Sequence, residues 1–191
     1  MDVVETEILG LKVLRPSPHH DDRGFFSRTF DVGVARKAGI DPYSFVQDSL
    51  SRSRFGVVRG LHVRVGHGEN KLVRCSAGAI YDVVVDLRPG SPTYLTWQGF
   101  ELTGETQASL YVPAGCAHGF QALTDPADIS YRIDSEHDAA FDLTIAHDDP
   151  DLAITWPTAP TLMSRADRSA LPLAAIQDRL AEIRPWSDAQ L

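Results

Sequence analysis

His62 and Arg64 stand two residues apart in a run that begins Val57-Val58-Arg59-Gly60-Leu61 and closes, after a Gly/His/Asn turn, in Lys71-Leu72-Val73-Arg74. Apolar, β-branched stretches on both sides of that turn predict two strands, and side chains two apart on a strand share a face. An imidazole can take and return a proton near neutral pH, while guanidinium and ammonium groups hold anions. Arg59, His62, Arg64 and Lys71 therefore point to a pocket for an anionic ligand in an otherwise acidic chain. The plain alternative is a basic strand edge in water, with His62 a satisfied structural residue.

A second histidine, His118, follows a Pro-Gly turn in Pro113-Ala-Gly-Cys-Ala-His-Gly-Phe120 and comes from another strand. Two histidines, a lysine and several arginines suit a site that binds an anion and moves protons. A metal site of the His-x-His kind is the competing reading, with His62, Glu69 and His118 as ligands. Against it, the residue two after His62 is Arg64, which offers no lone pair and repels a divalent cation. A histidine base also needs a carboxylate to fix its tautomer. Asp48, Asp82, Asp86, Asp148, Asp149 and Asp167 all remain open for that part. Tyr131, in the alternating run Ile129-Ser-Tyr-Arg-Ile-Asp134, suits an acid on the opposite side of a substrate, or else simple aromatic packing.

The elements that must position these groups read as short strands with Gly/Pro turns. A first strand is expected within residues 1–15, a turn over 16–22, a strand over 23–30, a helical turn over 32–38 and a strand over 45–50. Further strands are expected over 79–87, 94–102, 108–112, 117–123 and 129–133. Helical spacing appears only over residues 173–183, where Ile176, Leu180 and Ile183 lie at i, i+4, i+7. This is an all-β pattern, a jelly-roll β-sandwich (cupin-like), with short helices in a C-terminal tail of about 170–191. The 191 residues fit a single domain.

A hydrophobic share of 43% is ordinary for a globular chain, and the net charge of −8 argues against a nucleic-acid partner. No apolar run reaches membrane-span length, so no membrane partner is expected. The acidic N-terminus lacks the form of a signal peptide. Cys75 and Cys116 sit in apolar strand contexts and are expected as buried free thiols, which fits a cytoplasmic, reducing location.

Taken together, DDRGFFSRTF, FVQDSLSRSRFGVVRGLH, KLVRCSAGAIYDVVVDLRPGSPTY, PAGCAHGF, ISYRID, DDPDLAITWP and SRADRSALP run through almost the whole chain. In order and spacing they closely resemble the dTDP-4-dehydrorhamnose 3,5-epimerases and related sugar-nucleotide epimerases of antibiotic deoxysugar pathways. The resemblance implies a jelly roll, a homodimer with exchanged strands, no cofactor and no metal. It implies a nucleotide-linked (dTDP) 4-keto-6-deoxyhexose as substrate and inversion at carbon 3, carbon 5 or both through an enolate. By that pattern His62 is the base, Asp167 its orienting partner, Tyr131 the acid and Lys71 the group beside the enolate oxygen. Arg23, Arg59 and His118 fall where the family holds the nucleotide end or frames the pocket. Arg28, Gln47, Ser49, Arg64, His137 and Asp142 complete the expected substrate-binding set.

The chain departs from the family pattern at Arg28 (usually Glu), Asp48-Ser49 within a usual Gln-x-Asn, Arg64 (usually Gln), Ala166 (usually Lys) and His137 (commonly a stacking Tyr). These departures bear on the nucleotide, the sugar and the number of carbons inverted. The competing functions are a metal-dependent cupin enzyme and a non-catalytic sugar-nucleotide-binding protein. The retained His62, Asp167, Tyr131 and Lys71 argue against the second, because binding alone requires no opposed acid and base.

Overall fold

The computed structural model describes residues 1–187; the last four residues of the expected tail, 188–191, lie outside the described residues. The chain opens as two strands rather than one. Gly10, at φ 78°, turns it between β1 (Asp2–Glu5) and β2 (Lys12–Arg15), which pair antiparallel. The stretch expected as a turn and one long strand is a small hairpin, β3 (His19–Asp21) and β4 (Gly24–Phe26), with all six residues exposed. The helical turn is present as α1 (Val32–Lys37), capped by the Asp31 side chain, which accepts from the backbone N–H of Gly33 and Val34.

The remaining strands are β5 (Gln47–Ser53), β6 (Val58–Arg64), β7 (Lys71–Ala77), β8 (Ala79–Asp86), β9 (Trp97–Thr103), β10 (Ser109–Val112), β11 (Cys116–Ala122), β12 (Ala127–Ile133) and β13 (Asp142–Thr144). β9 begins three residues later than expected. The chain first turns at residues 91–96, where the hydroxyls of Ser91 and Thr93 both donate to the buried Asp86 carboxylate and Leu95 takes a positive φ. Two antiparallel sheets result. One runs β1-β2-β10-β7-β12-β5 and the other β13-β6-β11-β8-β9, the face-to-face arrangement of a jelly-roll sandwich.

Alternation along these strands divides the core in three. Val73, Cys75, Ile80, Val84, Leu110, Phe120 and Ile129 meet between the sheets. Leu61, Val63, Val83 and Val85 face the other way, under a C-terminal layer that includes Leu152, Leu173, Leu180 and Ile183. Leu14 and Leu72 pack outside the larger sheet against Ala35 and Ile40. Each such Val, Leu, Ile or Phe side chain, fully buried, contributes roughly 1.5–3 kcal/mol. Cys75 and Cys116 are buried free thiols, and burial pushes the Cys75 thiol up to about 11.

The tail is less regular than its periodicity suggests. A 3-10 turn (Leu173–Ala175) and the short α3 (Gln177–Leu180) are separated by Ile176 at φ −127°, and Asp149 binds the Leu173 N–H at 2.6 Å. The spacing of Leu173, Leu180 and Ile183 serves burial against the smaller sheet rather than one continuous helix. Among the described residues no helix is long and apolar enough to cross a membrane.

Candidate active site

At one end of the sandwich the inward-facing residues change from apolar to polar. Gln47, Ser49 and Ser51 share one face of β5, and with Tyr131 and Lys71 they line one wall of a cavity of about 410 Å³. His62 and Arg64 on β6 and His118 on β11 line the facing wall. His62 and His118 are direct cross-strand partners, so both imidazoles stand on the same face of the smaller sheet. That pairing depends on close backbone approach. A Cβ on Gly60, at φ +119°, would lie 2.6 Å from the Gly119 Cα and 2.8 Å from the His118 carbonyl oxygen.

His62 is half exposed, and its Nε2 lies 2.7 Å from Oδ1 of Asp167, whose side chain is only 4% exposed. Asp167 is delivered by α2 (Arg165–Arg168), an element not expected from the sequence. Ser164 caps that helix: its Oγ accepts from the Asp167 N–H at 3.0 Å and donates to Asp167 Oδ2 at 2.8 Å. Burial alone would raise the Asp167 carboxyl; hydrogen bonds from His62 and Ser164 outweigh it and hold the group below its ordinary value. An N–H at Nε2 donating to this carboxylate leaves the ring's lone pair on Nδ1, so the imidazole is set up to accept a proton. Of the six carboxylates open from sequence, Asp167 takes this place, while Asp82 pairs with the other histidine.

His118 Nε2 lies 2.8 Å from Asp82 Oδ2, and both residues are buried. Burial drives the Asp82 carboxyl upward against the opposing pull of His118. The His118 ring stands edge-on to Tyr131, with centroids 6.2 Å apart, across the gap between the sheets. Tyr131 contacts Ser51 Oγ through its hydroxyl at 3.4 Å. Burial moves its phenol well above the ordinary tyrosine range, keeping it protonated and able to donate.

The third cluster is ionic. Lys71 Nζ lies 2.9 Å from Glu69 Oε1, and Glu69 Oε2 lies 3.3 Å from Arg64. Arg64 is buried and spends its N–H groups on the protein. Nε donates to Asp142, Nη1 to the Ser135 hydroxyl and the Glu136 carbonyl, and Nη2 to Asp142 and His137. A guanidinium has five N–H donors, and all five have partners here. Arg64 lines the cavity with its N–H groups engaged by protein partners. Asp142 and His137 line the cavity beside it; Asp142 sits on β13 directly across from Arg64. Glu69, the proposed carboxylate ligand of a metal, is held between two cations. Among the described residues no three His, Cys, Asp or Glu side chains form a metal-holding group.

Arg59 lines the cavity from β6, its Nε donating to Ser53 and Nη2 to the Arg52 carbonyl. Gln47 also lines it and donates to the Ser135 carbonyl. Arg23 and Arg28 do not join these residues in the same chain. Arg23, 90% exposed, pairs with Asp21 on the projecting hairpin, and Arg28 pairs with Asp31 beside α1. Sequence reasoning missed Ser51 and Ile133, although their alternation with Ser49 and Tyr131 could have shown them. It also missed Leu143 and Thr144 on β13, a strand too short to give a pattern.

A carboxylate-paired imidazole and a protonated phenol on facing sheets, with an ammonium on the phenol's side, suit the class to which the comparisons point: an isomerase built on a cupin-like jelly roll. Comparison with known proteins narrows it. A family model described as dTDP-4-dehydrorhamnose 3,5-epimerase matches residues 5–175. The chain is 39% identical to dTDP-4-dehydrorhamnose 3,5-epimerase of Escherichia coli (strain K12), over 91% of this chain and 95% of that protein. It is 41% identical to dTDP-4-dehydrorhamnose 3-epimerase of Streptomyces niveus, over 90% of this chain and 83% of the relative. The crystal structure of dTDP-6-deoxy-D-glucose-3,5-epimerase RmlC from Legionella pneumophila Philadelphia 1, in complex with dTDP-4-keto-L-rhamnose, superposes with a TM-score of 0.90. That match has 37% identity and covers 97% of this chain and 98% of the other. The chain belongs to the dTDP-4-dehydrorhamnose 3,5-epimerase family.

Proposed function

We propose that this protein inverts carbon 3, carbon 5 or both of a dTDP-linked 4-keto-6-deoxyhexose, with no cofactor and no metal. The observation that carries the reading is the His62–Asp167 pair on one wall of the cavity with Tyr131 on the other. The carbon 4 ketone acidifies the neighbouring C–H bonds. His62 takes the proton through Nδ1, and Asp167 stabilises the imidazolium that forms. The C–H electron pair moves into an enolate, whose oxygen is stabilised by the Lys71 ammonium. Tyr131 then donates its O–H proton to the opposite face of the carbon. Solvent restores the phenol and removes the proton from His62. Burial disfavours a tyrosinate at this position, so return to the phenol is favourable.

The relatives bracket the outcome: one is named a 3,5-epimerase and another a 3-epimerase. Arg59 and His118 frame the nucleotide end, with Gln47, Ser49, His137 and Asp142 around the sugar. A homodimer with exchanged strands gives Arg23 and Arg28 their place, by carrying the hairpin to the partner's cavity. The exposed Phe25 and Phe26, the latter 72% exposed, support that reading. The reading is tested by incubating the protein with dTDP-4-keto-6-deoxyglucose and resolving the products by NMR. Inverted product should form, and His62→Ala should slow it by at least ~10²-fold, the low end for losing a general base. Unchanged turnover in that variant would remove His62 from the mechanism.

A further inference from the structure

We propose that Glu69 and Arg64 act as positioning residues for Lys71, a role that rests on the epimerase reading above. A lysine ammonium sits on a flexible four-carbon stem and holds one direction only if something anchors it. Here Glu69 Oε1 anchors it at 2.9 Å. Glu69 is itself fixed: Oε2 accepts from the Ser135 hydroxyl at 3.3 Å and forms an ion pair with Arg64 Nη1 at 3.3 Å. The side chains of all three charged residues are no more than 10% exposed, so water does not loosen the chain of contacts. Arg64 is in turn locked by Asp142, Ser135 and Glu136. All three line the cavity, and the order of dependence is Arg64 to Glu69 to Lys71, the group assigned to the enolate oxygen.

The arrangement also gives the departure at Arg64 a physical purpose. Glu69 buried beside Lys71 alone would leave its second oxygen short of a strong partner. A cation two residues beyond His62 supplies that partner, and the same residue fastens the segment that carries His137. Glu69, open from sequence as a metal ligand, is thereby assigned to aiming an ammonium.

The test is a double-mutant cycle among Glu69→Gln, Arg64→Gln and Lys71→Ala, read as kcat and KM with the 4-keto sugar nucleotide and as solvent deuterium uptake. Glu69→Gln should lower kcat by about 10–100-fold, the scale expected for misplacing a catalytic group by about 1 Å, with KM nearly unchanged. In the Lys71→Ala background the same substitution should have no further effect, because its target is gone. Glu69→Gln and Arg64→Gln together should cost no more than the worse single change. If Glu69→Gln lowers activity equally with and without Lys71, or leaves kcat unchanged, the proposal is overturned. If Glu69→Gln fails to fold, Ser135→Ala carries the same cycle through its contacts to both Glu69 and Arg64. A wild-type protein with no exchange at all would instead contradict the epimerase reading itself.

Discussion

Nε2 of His62 and Oδ1 of Asp167 lie 2.7 Å apart although 105 residues separate them in the chain. The contact joins the strand that lines the cavity to a four-residue helix folded beneath it. In the proposed reaction its value lies in tautomer and charge: the carboxylate would keep a proton on Nε2 and support the imidazolium. Asp167→Asn keeps the shape and removes the charge. It is expected to lower kcat by about 10²–10⁴-fold, within the range that general-base catalysis supplies, with KM little changed. Steady-state kinetics on the variant decides this, and full activity would separate Asp167 from the base.

The same carboxylate makes a pH-dependent contribution to stability. Its folded pKa lies below the ordinary value of 3.8, so its stabilisation is fully present above that value and fades as pH falls through the folded pKa. Denaturant titrations of wild type and Asp167→Asn should therefore differ at about pH 5 and converge in stronger acid. A gap that instead widened as the pH fell from 5 would contradict this assignment.

Tyr131→Phe should split the reaction. Proton removal by His62 continues, and deuterium enters the sugar from the His62 side, while inversion stops because no donor faces the other side. Since burial raises the phenol pKa above its ordinary value of 10.0, wild-type kcat should show no decline from tyrosine ionisation below pH 10. Inversion at full rate in the phenylalanine variant would assign the acid elsewhere.

Gly60→Ala tests the backbone contact behind the two histidines. The added methyl meets the Gly119 backbone at 2.6 Å and the residue already stands at φ +119°, so neither side can give way cheaply. A loss of about 3 kcal/mol or more is expected in chemical denaturation, the range reserved for strained or overpacked core sites. Stability within 0.5 kcal/mol of wild type, the ordinary scatter of surface changes, would show that the strands can part without cost.

The proposed exchanged-hairpin dimer predicts complementation. Arg23→Ala and His62→Ala are each defective, through different parts of one shared site. After subunit exchange at equal amounts, half the dimers are mixed and each mixed dimer has one intact site. Activity should then recover to about a quarter of wild type. No recovery, with mixed dimers demonstrated, would place Arg23 in the site of its own chain or in none.

Much of this was legible in the sequence, for identifiable reasons. Strand alternation exposed the sandwich, and the order of its motifs exposed the family. His62, Lys71, His118 and Tyr131 come together as expected because they sit on regular strands, where face follows from spacing. What stayed hidden depends on contacts no spacing encodes. The contacts of Arg64 with Asp142, Ser135, Glu136 and His137 cross from one segment to others and could not be seen from spacing. α2 is only four residues long, so it leaves no periodicity, although Ser164-Arg-Ala-Asp167 has the spacing of a helix cap. β13 is three residues long and draws its definition from pairing with β6. The short helices expected in the tail are present as a 3-10 turn and α3, with a break at Ile176 that the apolar spacing does not encode.

Incubation with dTDP-4-keto-6-deoxyglucose in heavy water, followed by NMR, tests the central claim most directly, since it reads proton abstraction and its position in one experiment. The account predicts deuterium at carbon 3, carbon 5 or both, together with inversion at each carbon that Tyr131 reprotonates, and neither in His62→Ala. Substrate recovered with its carbon-bound protons intact, alongside unchanged configuration, would contradict it.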